Sequence, residues 1–418
     1  MKSMRISLAI GLLTFMMGAL AQTTITYWQY DFAARIEAMN QLIAQFEAEN
    51  PDIKVVQETF PYDSYQAQVG ASLPAGIGAD VVQLYYGWLP AWIRAGYVQP
   101  LPAEHFDVAS IESEFIPMVQ AAKYQGEYYG LPTAVRSLAL FYNKDKLKEA
   151  GFEAAPATWD EFITIAKALT EKRGPRFNQV GYGIAPNGQD HHLLREILVR
   201  QFGGMPYSED GSMVEYNSDA GLEAFKFYTS WTTEHEIGVP EFIPGNNGYR
   251  EGFQQQQNIA MIIDGSFAIG GVRSNAQFDW GVAEIPTLDN GVQANFGSFW
   301  LNGLSPNAYE DAATLEASSK FLAFVTRPES MKLWLEVVGE LPARADLIND
   351  PALSADPVFG PFISSLAYAH ATPFVDEAAQ RQVTVDAINR VLLEGADPAA
   401  SWSQAAEEDQ AILDQFSE

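Results

Sequence analysis

Cysteine is absent from this sequence of 418 residues. Without thiols, the chain has no disulfide framework, no thiolate metal site and no cysteine that could accept a lipid. Positive charge is also scarce, because 25 Lys and Arg residues stand against 53 Asp and Glu residues, which gives a net charge of −28 at pH 7. Such acidity disfavours nucleic acids and anionic membrane surfaces as partners. Its simplest role is solubility or adaptation to an ionic environment.

Long hydrophobic runs are confined to the N-terminus. Lys2 and Arg5 precede the apolar run from Ile6 to Leu20, and the small residue Ala21 follows it. This pattern is typical of a secretory signal peptide at residues 1–21. No later segment offers the roughly 18 uninterrupted apolar residues of a membrane span. We therefore expect an exported, soluble protein that is most simply periplasmic.

Catalytic signatures are missing as well. The five histidines show no metal-ligand spacing, and the adjacent His191 and His192 should point in different directions on a regular element. The sequence has no nucleophile elbow, phosphate-binding loop or dinucleotide fingerprint. Carboxylates are too numerous for any two to be singled out as an acid/base pair. The sequence therefore predicts no catalytic residue, no metal and no cofactor.

What the chain does contain is an alternation of strands and helices. An apolar strand from Thr24 to Trp28 leads into a helix whose apolar residues recur three or four apart up to Phe46. The strand IKVVQ from Ile53 and the strand from Asp80 to Leu84 are each followed by another helical stretch. This order predicts parallel sheets with crossover helices, in a chain long enough for two domains.

A second region follows Asn143. Thr158 and Glu161 predict a capping box for a helix from Trp159 to Glu171, and NIAMIID and WGVAEIP are expected to be strands. No linker rich in Pro, Gly or Ser divides the chain. The pattern therefore favours two lobes joined by several crossing strands over two separate domains.

Aromatic residues recur in the loops that follow the first three strands. These loops contain Tyr27, Trp28, Tyr30, Phe60, Tyr62, Tyr65, Tyr85, Tyr86 and Trp88. In an open α/β sheet, such positions lie at the carboxyl edge, where ligands bind. Flat aromatic rings suit the C–H faces of a sugar, although each ring could instead pack under its own loop. As a set, these residues favour a sugar-binding cleft, whereas Trp88 is expected in the core.

Arg136 interrupts the segment GLPTAVRSLALFYNKD, which otherwise reads as a buried strand. A charge in such a segment needs a partner. Either a carboxylate elsewhere in the chain neutralises the guanidinium, or the strand emerges into a cleft where water or a ligand does so. The sequence leaves both alternatives open.

The chain resembles the extracellular solute-binding proteins of ABC importers, in the carbohydrate-binding family that includes maltose- and trehalose-binding proteins. The order and spacing of several short segments carry the resemblance: AQFEAENPDIKV, GADVVQL, WLPAWIRAGYVQPL, YYGLP, LALFYNKDKL, PATWDEF, NIAMIIDGSFAI, WGVAEIP and ELPAR. The resemblance implies an α/β fold of two lobes, each a mostly parallel sheet flanked by helices, around a cleft. It places lobe I at 22–135 and 281–326, lobe II at 136–280 and 327–418, and the hinge at Arg136 and near Gly281.

The resemblance also implies a set of ligand contacts. Family members with neutral-sugar ligands usually carry carboxylates at the positions that match Tyr85 and Arg136, so this chain is expected to favour a saccharide with an acidic group. Phe267 stands where the family often has a tryptophan that stacks on sugar. The full set of expected contacts is Gln29, Tyr30, Asp31, Tyr62, Asp63, Tyr85, Tyr86, Arg136, Asp190, His191, Phe267, Gly297, Ser298, Trp300, Glu340 and Arg344.

The function expected from this resemblance is capture of a mono- or oligosaccharide. The protein would act as a monomer, without catalysis, and deliver the ligand to permease subunits in the inner membrane. Two alternatives share the fold: a ferric-ion binder with Tyr85 and Tyr86 as phenolate ligands, and a polyamine binder that uses the negative charge. A secreted carbohydrate-active enzyme is a third, and it would need a positioned acid/base pair.

Overall fold

The computed structural model describes residues 22–245, 247–372 and 374–417, so the expected signal peptide lies outside the described residues. The strands are β1 (Thr23–Tyr30), β2 (Ile53–Phe60), β3 (Val81–Tyr85), β4 (Lys123–Tyr124), β5 (Glu127–Tyr128), β6 (Leu131–Arg136), β7 (Leu138–Asn143), β8 (Glu171–Arg173), β9 (Arg176–Tyr182), β10 (Ile259–Gly265), β11 (Trp280–Ala283), β12 (Asn295–Phe296), β13 (Ser298–Leu304), β14 (Leu341–Pro342) and β15 (Ala369–His370).

Helices cover the faces of the sheets. They are α1 (Ala33–Glu49), α2 (Tyr62–Ser72), α3 (Leu89–Arg94), α4 (Val108–Glu114), α5 (Lys144–Glu149), α6 (Trp159–Ala168), α7 (Val199–Gln201), α8 (Asp219–Thr233), α9 (Gly248–Glu251), α10 (Ile269–Asn275), α11 (Ala312–Val325), α12 (Pro328–Val338), α13 (Ala345–Ile348), α14 (Pro351–Ser354), α15 (Gly360–Ser365), α16 (Glu377–Leu392) and α17 (Pro398–Ser417). Wider π-helical turns occur at Pro186–Asp190, Leu193–Leu198 and Gly252–Gln256. Within the described residues, no helix combines the length and the apolar character needed to cross a bilayer.

The first sheet has six strands in the order β14-β6-β13-β3-β1-β2. β1 pairs in parallel with β2 and β3, as the alternation of strands and helices predicts. β13 lies antiparallel between β3 and β6. We call this sheet and the helices packed on it the first lobe.

The second sheet has five strands in the order β11-β7-β10-β9-β8 and forms the second lobe with its helices. β10 and β9 are parallel, whereas β7 pairs antiparallel with both β10 and β11. The predicted α/β architecture of two helix-flanked sheets is confirmed. Both sheets are mixed, however, because strands that cross between the lobes enter them in the opposite direction.

The chain passes between the lobes at Arg136, where β6 of the first sheet ends, and Leu138 begins β7 of the second. Two segments join the opposite lobe from the one that the expected boundaries assign to them. Gly281 pairs with Tyr142 in the second sheet, and α12 packs on α1 and β6 of the first lobe, next to β14. The strand and helix patterns themselves do not reveal which sheet they join.

Local sequence explains why these elements form. In α1, Met39, Leu42 and Phe46 recur on one face and are buried, whereas β10 is buried along its whole length, as the apolar run from Ile259 to Ile263 predicts. The predicted capping box is present at α6, where Thr158 accepts a hydrogen bond from the Glu161 N–H. The helix ends at Ala168, a turn earlier than predicted, because Glu171 begins β8.

Candidate functional site

An aromatic cluster lies where the central strands of the first sheet end. Tyr30 ends β1, Tyr85 ends β3, and Trp300 of β13 pairs with Tyr85 across the sheet. The Trp300 ring lies 4.5 Å from the Tyr30 ring and 5.6 Å from the Tyr85 ring, measured between centroids. Tyr62, at the start of α2, lies 5.2 Å from Tyr30 and keeps 45% of its surface exposed. The structure thus brings together four of the expected ligand contacts.

The tyrosines of this edge are neutral. Burial raises the pKa of Tyr30 to about 12, against the opposing charge of Arg35. Burial also raises the pKa of both Tyr85 and Tyr86 well above 10. Without a bound cation, burial thus keeps these phenols protonated.

Glu340 provides the carboxylate partner of Arg136. The Arg136 Nε donates to Glu340 Oε1 over 2.6 Å, and Arg35 donates to the same oxygen over 2.5 Å. The Trp334 indole donates to the other oxygen over 2.9 Å. The internal ion pair is therefore the alternative that the structure realises. Since one carboxylate serves two guanidinium groups, the cluster keeps a net positive charge.

Arg136 nevertheless lies at the junction of the lobes. Its guanidinium carbon is 4.9 Å from the centre of the Phe267 ring of the second lobe and 6.0 Å from the Trp300 ring of the first. Its Nη2 is buried and has no hydrogen-bond partner among the described residues, and the same holds for Trp300 Nε1. These two donors are available to a ligand that enters between the lobes.

His191 and His192 lie together, contrary to the prediction that they point apart. Their ring centroids are 3.9 Å apart, because the flanking helix has π-helical turns instead of a regular α-helical path. His191 Nδ1 lies 3.0 Å from the Pro186 carbonyl, which must accept its proton. His191 Nε2 and His192 Nδ1 are buried without a partner in the described part of the chain.

Glu377 completes this group, and one ligand atom from each of the three residues lies within 4.8 Å of the others. Burial, with the nearby charges of Arg195 and Arg381, holds the pKa of both histidines well below 6.5, so the imidazoles are neutral. The donor set would suit a transition metal. The two arginines oppose a cation, however, and the group is better suited to hydrogen bonds with a polar or anionic ligand.

Arg381 extends this group to the first lobe. Its positive charge acts on the Tyr62 phenol of the first lobe, and its Nη1 lies 3.8 Å from Glu377 Oε1. Gly87 brings the first lobe into close contact at the same place, because an added Cβ there would lie 3.0 Å from the Glu377 Cβ. The aromatic edge of the first lobe and the polar group of the second therefore face each other.

A cavity of about 860 Å³ lies between the lobes next to Tyr86. The first lobe contributes Tyr86, Pro90, Arg94, Met118, Lys123 and Tyr124, among others, and the second lobe contributes Arg200, Asp210, Phe374 and Phe416. Phe374 connects the cavity to the sites above, since its ring lies 6.0 Å from Tyr86 and 6.5 Å from His192. The cavity is within the size range of ligand pockets, roughly 300–1,000 Å³.

Five other expected contacts lie at or next to the end of β1, the start of α2 and the start of β13. Gln29 is fully buried; its amide nitrogen donates to Gln57, and its Oε1 has no hydrogen-bond partner among the described residues. Asp31 and Asp63 are exposed. The Gly297 N–H donates to the His370 carbonyl, and an added Cβ at Gly297 would lie 2.2 Å from the Met118 methyl. Ser298 faces Arg136 across β13 and β6.

Asp190 and Arg344 are engaged elsewhere. Asp190 is buried inside the second lobe, where its carboxylate accepts hydrogen bonds from Tyr182, Tyr228 and the Ala185 N–H. Arg344 donates to Glu114 over 2.7 Å at the surface of the first lobe. For these two residues, the structure gives a structural role instead of the expected ligand contact.

Sequence reasoning missed Arg35, His192, Arg195, Phe374, Glu377 and Arg381. Arg35 sits in a helix that reads as an ordinary amphipathic helix, and Glu377 and Arg381 lie on α16 with the (i, i+4) spacing of a surface ion pair. The pair His191-His192 was the one visible signal, because adjacent histidines are unusual in so histidine-poor a chain.

Comparison with known proteins identifies a family. The sequence profile of the bacterial extracellular solute-binding proteins matches residues 41–361. A maltotriose-binding protein of Pyrococcus abyssi is 25% identical over 355 residues, which cover 84% of this chain and 73% of that protein. The sn-glycerol-3-phosphate-binding periplasmic protein of Shigella dysenteriae is 26% identical over 365 residues, which cover 80% and 77%.

Solved structures share the fold. The GacH receptor of Streptomyces glaucescens, determined both unliganded and with acarbose, aligns with a TM-score of 0.80 at 22% identity over 94% of this chain and 99% of its own. A cyclo/maltodextrin-binding protein in complex with maltotetraose aligns with a TM-score of 0.78 at 22% identity over 94% and 97%. The two-lobed fold expected from the sequence is therefore confirmed.

Proposed function

The chain belongs to the family of bacterial extracellular solute-binding proteins, and from this premise we propose that it captures a mono- or oligosaccharide between its lobes. It delivers this ligand to the permease of an ABC importer. The protein acts in the periplasm as a monomer and performs no catalysis. Closure of the lobes on the ligand is the state that the permease recognises.

Unpartnered polar atoms at the junction of the lobes carry this proposal. Trp300 Nε1, Tyr86 OH and Arg136 Nη2 from the first sheet and its edge, together with His191 Nε2 and His192 Nδ1 from the second lobe, are buried without a hydrogen-bond partner among the described residues. Buried polar groups are rarely left unsatisfied, because each one costs about 1–3 kcal/mol. A sugar has hydroxyl groups that both donate and accept, so it suits unpartnered donors and acceptors of this kind.

The aromatic cluster supplies the complementary apolar surface. Tyr30, Tyr62, Trp300 and Phe267 offer ring faces or edges from both lobes, which suit the C–H surface of a sugar ring. A polyamine fits the junction poorly, because Arg35, Arg136, Arg195 and Arg381 surround it with positive charge. The names of the relatives, which bind maltotriose and sn-glycerol-3-phosphate, are consistent with a neutral or an anionic polyol.

A thermal-shift screen of neutral and acidic saccharides tests the proposal. A saccharide at about 100 times its dissociation constant stabilises the folded protein by roughly 2.7 kcal/mol, which raises the melting temperature by several degrees. Tyr62→Ala should weaken the binding of the best ligand about 10-fold or more. Tyr309→Ala is the matched control, because Tyr309 is similarly exposed at 37% and lies outside the site.

Two results would contradict the proposal. The saccharide screen would do so if no compound stabilised the protein, and the variants would do so if Tyr62→Ala and Tyr309→Ala bound equally well. Incubation with oligosaccharides, followed by an assay for new reducing ends, separates binding from hydrolysis. New reducing ends would replace the binding function with an enzymatic one.

A further inference from the structure

Arg200 differs from the other arginines in how its charge is neutralised. Among the described residues, the other arginines that are shielded from solvent have a carboxylate oxygen within 4 Å, for example Arg35, Arg136 and Arg195. Arg200 is partly buried and has no such carboxylate, although the chain contains 53 acidic residues. Its Nη1 reaches only the Met205 sulfur, over 3.4 Å, and its Nε is buried without a partner in the described ranges.

The surroundings of Arg200 do not supply the missing negative charge. Glu196 is the acid that interacts with it over a longer distance, but Glu196 already accepts from Arg195 and from the Thr372 hydroxyl. Partial burial and the charge of Arg200 lower the pKa of His370, and an imidazole in any case carries no negative charge. The acids Glu209 and Asp210 line the same cavity, but neither forms an ion pair with Arg200 within the described residues, and the Asp210 carboxylate accepts three hydrogen bonds from Ser208 and Ser212.

Arg200 faces the cavity of about 860 Å³ between the lobes, with two further cations on its wall. Arg94 donates to the Phe416 carbonyl and has no carboxylate partner among the described residues, while Lys123 is paired with Glu112. Tyr86, Tyr124 and Phe374 give the wall flat apolar surfaces. The occupant that fits this lining has both an apolar face and an anionic group.

We propose that this cavity is an anion-binding subsite in which Arg200 receives the carboxylate, sulfate or phosphate group of an anionic saccharide. The proposal rests on the saccharide-binding function and specifies the class of ligand. It assigns recognition of the anion to Arg200 instead of Arg136, because Arg136 already has Glu340. A guanidinium group can bind such an anion through two parallel hydrogen bonds.

Inorganic sulfate is the probe, because it tests the subsite without knowledge of the sugar. The melting temperature is measured in sulfate and in chloride at equal ionic strength, so that general screening is constant. The wild type should gain about 2–4 °C from sulfate relative to chloride, and Arg200→Gln should lose most of this gain. Arg200→Lys should keep part of it, and Arg176→Gln, which removes an exposed arginine of β9, should keep all of it.

An equal sulfate effect in the wild type, Arg200→Gln and Arg176→Gln would overturn the subsite, because general salt effects act on all three alike. The same proteins are then screened with neutral saccharides. If the sulfate effect is equal in all three proteins but a neutral saccharide still stabilises the wild type and Arg200→Gln, the subsite is wrong and the saccharide-binding function stands. If the sulfate effect depends on Arg200 but no saccharide binds, the anion subsite stands and the saccharide-binding function is wrong.

Discussion

At the scale of single residues, Glu340 is the acid on which two arginines depend. Glu340→Gln leaves Arg35, which is buried, and Arg136 without a carboxylate, so we expect the free energy of unfolding to fall by about 3–5 kcal/mol. Arg136→Met should cost less, about 1–2 kcal/mol, because Glu340 keeps Arg35 and Trp334. Urea unfolding at pH 7 measures both variants. A greater loss in Arg136→Met would contradict this account of the cluster.

The pH dependence of stability provides a second test, at Asp190. Burial raises the pKa of this carboxyl above its usual value of 3.8, against the hydrogen bonds from Tyr182, Ala185 and Tyr228. The folded state therefore holds the proton more tightly than the unfolded state. Stability from this group is present at low pH and is lost as the pH rises from 3.8 through the raised pKa of the folded state.

Asp190→Asn removes this titration. We expect the wild type to exceed the variant in free energy of unfolding by more at about pH 4 than at about pH 7.5, with roughly 1.4 kcal/mol for each unit of pKa shift. Urea unfolding at the two pH values gives the difference, and the constant effect of the altered hydrogen bonds cancels. If the difference in free energy of unfolding between wild type and variant did not change with pH, the pKa of Asp190 would not be raised in the folded state.

The sequence predicts what Arg136 needs but not which residue provides it. A guanidinium in an apolar strand calls for a carboxylate or a cleft, and the structure shows a carboxylate together with a free donor at the lobe junction. Glu340 is 204 positions away along the chain, and Arg35 is 305 positions from Glu340. Local patterns do not carry such long-range pairings, so these partners needed the folded structure.

At the scale of elements, the capping box of α6 is a local feature with a local cost. Thr158→Ala removes the acceptor of the Glu161 N–H, and we expect a loss of about 0.5–2 kcal/mol in the free energy of unfolding. Ser274→Ala is the control, because Ser274 is exposed near the end of α10, where alanine is at least as good a helix former. Chemical unfolding of both variants compares them. Equal stability of the two would show that the cap contributes nothing.

Elements with a regular period were predictable, and the irregular one was not. The helix α1, the strand β10 and the start of α6 follow from apolar spacing and capping residues. The π-helical turns around His191 and His192 have no such signature, and they decide that the two imidazoles lie together. The sequence therefore predicted the aromatic cluster of the first lobe, which follows strand ends, but not the polar group of the second lobe; that these residues bind a ligand stays a prediction.

At the scale of the whole molecule, the division into lobes was predictable except where short segments change sheets. The resemblance to a known family and the lack of a Pro-, Gly- or Ser-rich linker predicted two lobes joined by crossing strands. The chain crosses between the sheets at Arg136–Leu138, and a hinge there stays a prediction. β11 belongs to the second lobe and α12 to the first, the opposite of what was expected. Such membership depends on contacts between residues more than a hundred positions apart, which local patterns do not show. Boundaries near 283 and beyond 342 fit the observed pairings.

We expect the two lobes to close on the ligand, and contacts between the lobes bear on this motion. Arg94 of the first lobe donates to the Phe416 carbonyl of α17 over 2.5 Å, and its guanidinium carbon lies 4.5 Å from the centre of the Phe416 ring. A ligand that touches both lobes shifts the population toward the closed state by its difference in affinity. We therefore expect saturating ligand to reduce the radius of gyration measured by solution X-ray scattering.

Arg94→Ala removes this contact between the lobes, so we expect it to raise the radius of gyration of the free protein. It should also weaken ligand binding by about 2- to 5-fold, the effect of an exposed contact worth roughly 0.5–1 kcal/mol. The bound variant should return to the radius of the bound wild type, because the ligand still favours closure. Identical scattering with and without ligand in both proteins would argue against a hinge between the lobes.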